Sequence, residues 1–196
     1  CGGLNANLNR QTASFIVKQS IPVTLIAVGR KGLDFMHRYG GDIRAEFTGL
    51  GDRPSLLDTL PISHIIIDDY TNGVIDLVYL VYAQFISTMV QSPILQQILP
   101  IEPAAIPKAQ NVDYIYEPSP DEVLGELLPR FVEMQVYHAI LESIASEQSA
   151  RMVAMRNATD NANELIEELT LMYNKARQES ITNELLDITG GAAALA

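Results

Sequence analysis

Few residues of the chain have types and spacings that do chemistry. Cys1 places a thiol beside the α-amino group, the pair that serves an N-terminal nucleophile. Gly2 and Gly3 leave that thiol on a flexible end, which argues against a held nucleophile. The same Gly-Gly pair ahead of a helical stretch is a minimal phosphate cradle, but the full dinucleotide fingerprint is absent and turn geometry is the better reading. Gly29, Arg30, Lys31 and Gly32 follow a β-branched run and form a basic turn that either holds an anion at a sheet edge or is a solvated connection. Asp68 and Asp69 are carboxylates of the type used in acid-base catalysis, yet neighbours on a helix point in different directions, so a solvated acidic turn is expected. His37, His64 and His138 lack metal-ligand spacing and read as structural. No active site emerges, and neither a metal nor a cofactor is expected.

The elements that must carry any function are bounded by composition. The 196 residues are 47% hydrophobic and 19% charged with a single cysteine, which excludes a disordered tail and a disulfide scaffold and fits a reducing compartment. Thirteen Lys and Arg against 24 Asp and Glu give a net charge of -11, which repels phosphate backbones and makes nucleic acid an unexpected partner. Cys1 to Arg10 shows no basic start and apolar run of a signal peptide. Val74 to Val90 approaches the shortest bilayer-spanning length but carries Asp76 and Gln84, so it reads as core strand and no direct lipid insertion is expected.

Two regimes meet near Pro118 to Pro120. Before them, helical spacing over Asn7 to Gln19 precedes a buried strand at Ile21 to Val28. A helical turn or two follows over Arg30 to Tyr39, with a short strand at Ile43 to Phe47 and a helix over Leu56 to Thr71. Leu77 to Phe85 and Val90 to Leu99 read as two further strands, before Pro100 to Pro107 leaves the sheet. This alternation predicts an α/β sandwich over residues 1–118, followed by a long C-terminal coiled-coil helix over 119–196.

The second regime has no Gly or Pro from Arg130 to Thr189, which predicts one helix with Pro129 in its first turn or at a kink, and Gly190 with Gly191 as its stop. Those roughly 60 residues reach about 90 Å at 1.5 Å per residue, too long for a small domain to enclose. Met134, Tyr137, Leu141, Ile144, Gln148, Arg151, Met155, Ala158, Ala162, Leu165, Leu169, Met172 and Ala176 succeed one another at steps of 3 and 4, a heptad seam broken only by Gln148 and Arg151. Ile181, Leu185 and Ile188 resume the stripe out of phase. Small residues such as Ala158, Ala162 and Ala176 permit close helix approach. Nothing before Pro118 is long enough to pair with this seam, so the second helix comes from another subunit, from a helix preceding Cys1, or from a second copy of the chain.

The C-terminal string YNKARQESITNELLDITGGAAAL from Tyr173 resembles the end of the γ subunit of F-type ATP synthases. ASEQSARMVAMRNATDNA from Ala145, CGGLNANLN at Cys1 and YIYEPSP from Tyr114 resemble further segments of that family, in the family's order. The resemblance implies a Rossmann-like α/β domain followed by a long C-terminal helix of an antiparallel coiled coil, with the N-terminal helix and first strand of the family lacking here. It implies a non-catalytic rotor shaft that couples ion-driven rotation of the membrane c-ring to ATP synthesis or hydrolysis on the β subunits. Its partners would be the α and β subunits of the head, subunit ε and the c-ring, at the cytoplasmic face of a bacterial plasma membrane. By the same resemblance, Arg177, Gln178, Thr182 and Glu184 contact β loops, and Tyr114, Tyr116 and Glu117 lie near ε and the c-ring. The alternative reading of Arg177 and Glu184 is a solvated helix face. The cysteine-bearing insert of chloroplast members is absent, so redox control is not implied. The competing function is a Rossmann-like nucleotide-binding enzyme with a dimerising helical tail, followed by an adaptor that dimerises through its own seam.

Overall fold

The computed structural model describes residues 2–101, 117 and 119–194. Four helices and four strands follow one another as α1 (Leu4–Lys18), β1 (Thr24–Val28), α2 (Arg30–Tyr39), β2 (Asp42–Phe47), α3 (Leu56–Thr71), β3 (Val78–Phe85), β4 (Gln91–Leu99) and α4 (Pro120–Ala194). The elements form two compact units, Cys1–Arg151 and Met152–Ala196. This division falls inside α4, whereas the sequence regimes change at Pro118; the helix therefore belongs to both units.

In the first unit, β1 and β2 are parallel, with Thr24 opposite Asp42 and Val28 opposite Phe47, and α2 makes the crossover. Gly40 ends α2 in the left-handed region at φ 81°, where its N–H reaches the carbonyls of Met36 and His37 and a side chain would be strained. β3 and β4 are an antiparallel hairpin with Val78 opposite Leu99 and Phe85 opposite Gln91. The sandwich class of the sequence holds, with one correction: the run ending at Val28 is not a buried strand. Only Ala27 of β1 is buried and Val28 is 41% exposed, because among the described residues β1 pairs only with β2.

The core joins Ile62 and Ile66 of α3, Ile98 and Leu99 of β4, and Val132 and Val136 of α4. Two hydrophobic residues one turn apart on each helix, and two successive residues of the strand, are brought together by tertiary packing. Around them, Ile26, Phe47 and Leu80 link both strand pairs to the same cluster. At the edge of the core, the Arg44 guanidinium of β2 grips Asp69 of α3 through two bonds of 2.6 and 2.7 Å. Asp69 is 7% exposed, so the expected solvated acidic turn is corrected: this carboxylate is buried against an arginine, and only Asp68 faces solvent.

Helix α4 begins ten residues before Arg130 and continues through both presumed breakers at Gly190 and Gly191. Pro120 occupies its first position, where the missing N–H costs nothing. Pro129 lies inside it, and the carbonyl that loses its partner and crowds the ring belongs to Gly125, four positions earlier.

Candidate partner interface

Within the first unit, α4 buries a stripe that the heptad seam does not contain. Val132, Val136, Ala139, Ser146 and Ser149 are at most 8% exposed. The Ser146 hydroxyl donates to the Ala83 carbonyl at 2.9 Å and the Ser149 hydroxyl to the Thr88 carbonyl at 3.0 Å, while the Ala83 N–H donates to Ser143 Oγ at 3.4 Å. These small polar residues carry no hydrophobic period, which is why sequence periodicity passed over them; the signal available was the repeat of Ser and Ala at 3–4 spacing. Val132 and Met134 are separated by about 200° around the helix. Burying the first stripe therefore leaves the seam outward, with Met134 52% and Leu141 37% exposed.

In the second unit, every residue from Met155 to Gly190 is exposed. The apolar seam residues Met155, Leu165, Leu169 and Met172 are 54–62% exposed, and Ile181, Leu185 and Ile188 are equally open. Arg177, Gln178, Thr182 and Glu184 all sit on this stretch. With about 100° per residue, Arg177 and Glu184 lie two turns apart on one line, and Gln178 and Thr182 share the adjacent face. The four therefore form two neighbouring rows and not a single cluster. The Thr182 hydroxyl donates to its own helix at the Gln178 carbonyl, 2.8 Å away, and retains its acceptor capacity for a partner. Arg177 and Glu184 make no ion pair among the described residues. Glu117 is exposed in a bend, and Tyr114 and Tyr116 lie outside the described residues.

The other chemical candidates stay apart. His37 approaches Glu46 at 3.9 Å, His64 approaches Glu133 at 3.9 Å and His138 approaches Glu142 at 3.5 Å, each with its own carboxylate. No group of three metal-ligating side chains forms among the described residues. Arg30 and Lys31 belong to the first turn of α2 and not to a loop, and Cys1 is outside the described residues. No described helix is long and apolar enough to cross a membrane.

The family model described as ATP synthase matches residues 1–195. The ATP synthase gamma chain of Dehalococcoides mccartyi strain CBDB1 is 67% identical over all of this chain and 69% of its own length. That of Roseiflexus sp. strain RS-1 is 54% identical over all of this chain and 68% of its own. In fold, the chain is similar to a central-stalk and c-ring structure of Tetrahymena thermophila mitochondrial ATP synthase, with a TM-score of 0.63, 24% identity and coverage of 81% of this chain and 70% of that one. A Euglena gracilis mitochondrial ATP synthase chain gives a TM-score of 0.64 at 22% identity, covering 100% of this chain and 68% of that one. The family match and the gamma-chain relatives favour a central-stalk subunit over a nucleotide-binding enzyme. The chain belongs to the ATP synthase gamma-chain family, and its part in that complex is non-catalytic.

Proposed function

We propose that this chain, as the central rotor shaft, couples ion-driven rotation of the c-ring to ATP synthesis or hydrolysis on the catalytic β subunits. The observation that carries the reading is the exposure of the whole Met155 to Gly190 stretch together with its regular apolar seam. Such a surface exists to be covered, because contiguous exposed apolar area marks an interface. Similarity to chains of central-stalk, F1 and c-ring complexes supports partners in the head and the membrane ring generally. The finer assignment is that Arg177, Gln178, Thr182 and Glu184 meet β loops, and that Tyr114, Tyr116 and Glu117 face ε and the c-ring. Residues 1–118 then act as the α/β foot and 119–196 as the shaft helix. Similarity to bacterial gamma chains supports a membrane-associated complex, and we place the chain at its cytoplasmic face.

Rotation does its work through differences in contact: a shaft that binds one β conformation better than another shifts the populations of the catalytic sites. Arg177 offers a forked donor to carboxylates, and Gln178 supplies an amide that both donates and accepts. In the assembled complex, Arg177→Ala combined with Gln178→Ala lowers coupled ATP turnover at least tenfold, since hydrogen bonds to charged groups contribute about 1.5–3 kcal/mol each. Lys175→Ala, on the same exposed stretch, leaves turnover within about twofold of the parent, as expected for a surface charge with no assigned partner. Equal losses from the two variants, or an unaffected double variant, overturn the assignment of these rows to moving contacts.

A further inference from the structure

Helices α1 and α2 run side by side, α1 against β3 and β4 and α2 against β1 and β2, and leave between them a groove of about 780 Å³. Four cations, Arg10, Lys18, Lys31 and Arg38, line it, and no carboxylate does, in a chain whose net charge is -11. None of the four is in an ion pair among the described residues. Arg38 donates from Nε to the Asp34 carbonyl at 3.0 Å, which steadies its guanidinium and leaves the terminal nitrogens unengaged by that bond.

The cations occupy the two ends of the groove. Asn9 Nδ2 reaches the Lys31 carbonyl at 3.5 Å, so Arg10 and Lys31 stand at one end. Lys18 ends α1 just before β1, Arg38 lies near the end of α2 just before β2, and Thr24 and Asp42 at the starts of those strands are paired. Lys18 and Arg38 therefore stand at the other end. At 1.5 Å per residue the two ends are about 10–12 Å apart along the helices. Phe35 stands between them and stacks on Tyr39 beside Arg38, with ring centroids 5.9 Å apart, and Val17 beside Lys18 is 68% exposed.

We propose that this groove docks an acidic amphipathic helix of a partner protein, with carboxylates seven residues apart. A single phosphate or carboxylate spans only a few ångströms and reaches one end alone, whereas carboxylates two turns apart on a helix are about 10.5 Å from each other and meet both cation pairs. The apolar side chains, centred on Phe35 and running on to the Lys18 and Arg38 end, receive the apolar face of the same helix, the helix-in-groove mode of recognition. Charge complementarity supplies orientation and encounter rate, and the Val17, Phe35 and Tyr39 strip supplies burial. This docking does not involve the α4 seam and stands apart from the shaft assignment.

The test uses the whole 196-residue chain labelled with nitrogen-15, and an 18-residue helical peptide of Ala and Leu with glutamates seven residues apart flanking the Leu stripe. In dilute salt, amide shifts saturate on residues 5–18 and 31–39. A peptide of the same composition with its glutamates on the opposite face binds at least tenfold more weakly, as does the parent peptide to Lys31→Glu combined with Arg38→Glu. Lys18→Ala, a change confined to one exposed cation, weakens binding about threefold and keeps the test informative should the double reversal misfold. Equal affinity for both peptides, shifts concentrated on Met155 to Ile188, or unchanged affinity in the charge variants overturns the proposal. Inorganic tripolyphosphate that produces the same shifts at equal affinity also overturns it, by making the groove an anion site.

Discussion

Helix α4 is buried along one stripe in the first unit and exposed throughout Met155 to Gly190 in the second, and truncating one residue in each separates the two environments. Val136 is 2% exposed within the core cluster, so Val136→Ala removes buried methyl groups and leaves a cavity. At about 0.8 kcal/mol per buried carbon plus a cavity penalty, the loss is about 2 kcal/mol. Leu169 is 54% exposed on the seam, so Leu169→Ala gives up only half of its transfer free energy, partly offset by alanine's better helix propensity. Its cost in the dilute chain is below about 1 kcal/mol, and once a second helix covers the seam it rises to about 2–3 kcal/mol. The chain has no Trp, so urea unfolding is followed by tyrosine fluorescence and near-ultraviolet dichroism, with sedimentation at several concentrations to separate self-association from folding. Val136→Ala lowers the midpoint at every concentration. Leu169→Ala lowers it by less than half as much when dilute and weakens association when concentrated. Equal losses from both variants in the dilute monomer refute this division of α4 into a buried and an open stretch.

Three further outcomes follow from side chains of the first unit. Burial, reinforced by the Glu142 charge, raises the Tyr82 pKa above the ordinary phenol value, and the hydroxyl donates to Gln96 Oε1 at 3.0 Å. The neutral phenol is favoured by folding, so its contribution is whole below the unfolded pKa and lost as pH rises through the folded one; ultraviolet titration shows one late-ionising tyrosine that vanishes in Tyr82→Phe. Arg44→Ala strands the Asp69 carboxylate and costs about 1–3 kcal/mol, moderated because the Arg44 side chain is 49% exposed. Adding Asp69→Asn recovers part of that loss in denaturant melts, and strictly additive losses contradict the pairing. The Ser55 N–H and hydroxyl both donate to Asp58 at 2.7 and 2.8 Å at the start of α3 and hold its pKa down, backbone bond first. That contribution is present above the ordinary carboxylate range and disappears as pH falls through the lowered value, so the stability gap between the parent and Asp58→Asn closes on acidification.

Much of the fold is legible in the residues alone. Leu56–Thr71 is helical over the expected span because Pro54 and Ser55 start it and Asn72 with Gly73 ends it. The hairpin strands fall within a residue of expectation, since Ser87 to Met89 separates two apolar runs. Helix α4 starts within a residue of the 119 boundary but runs past the breaker-free stretch Arg130 to Thr189 at both ends, because a continuous helix absorbs Gly125, Pro129 and two terminal glycines, and propensity is a weak prior against such continuity. Asp69 was misjudged because its arginine lies 25 positions away, a distance no local pattern spans. The candidate contact residues were legible only through resemblance. Arg177 and Glu184 on an exposed helix look the same whether solvent or a partner faces them, and nothing in their spacing distinguishes the two.

The inner stripe of α4 explains how a surface helix is held at a fixed rotation about its own axis. Hydrophobic burial of Val132 and Val136 attaches the helix to the first unit, but such burial is non-directional and tolerates a helix that rolls by some degrees. Hydrogen bonds are not tolerant in this way, because they weaken steeply as the donor leaves its line. Ser146 and Ser149 bind carbonyls on β3 and in the hairpin turn, so a roll breaks both, and the 0% exposure of Ser146 means that water cannot replace its bond. Valine supplies adhesion and serine supplies angle. For the proposed shaft, angle is the quantity that matters, since under that reading torque passes only to the extent that the α/β elements and the Val132 to Ser149 stretch of the helix turn together.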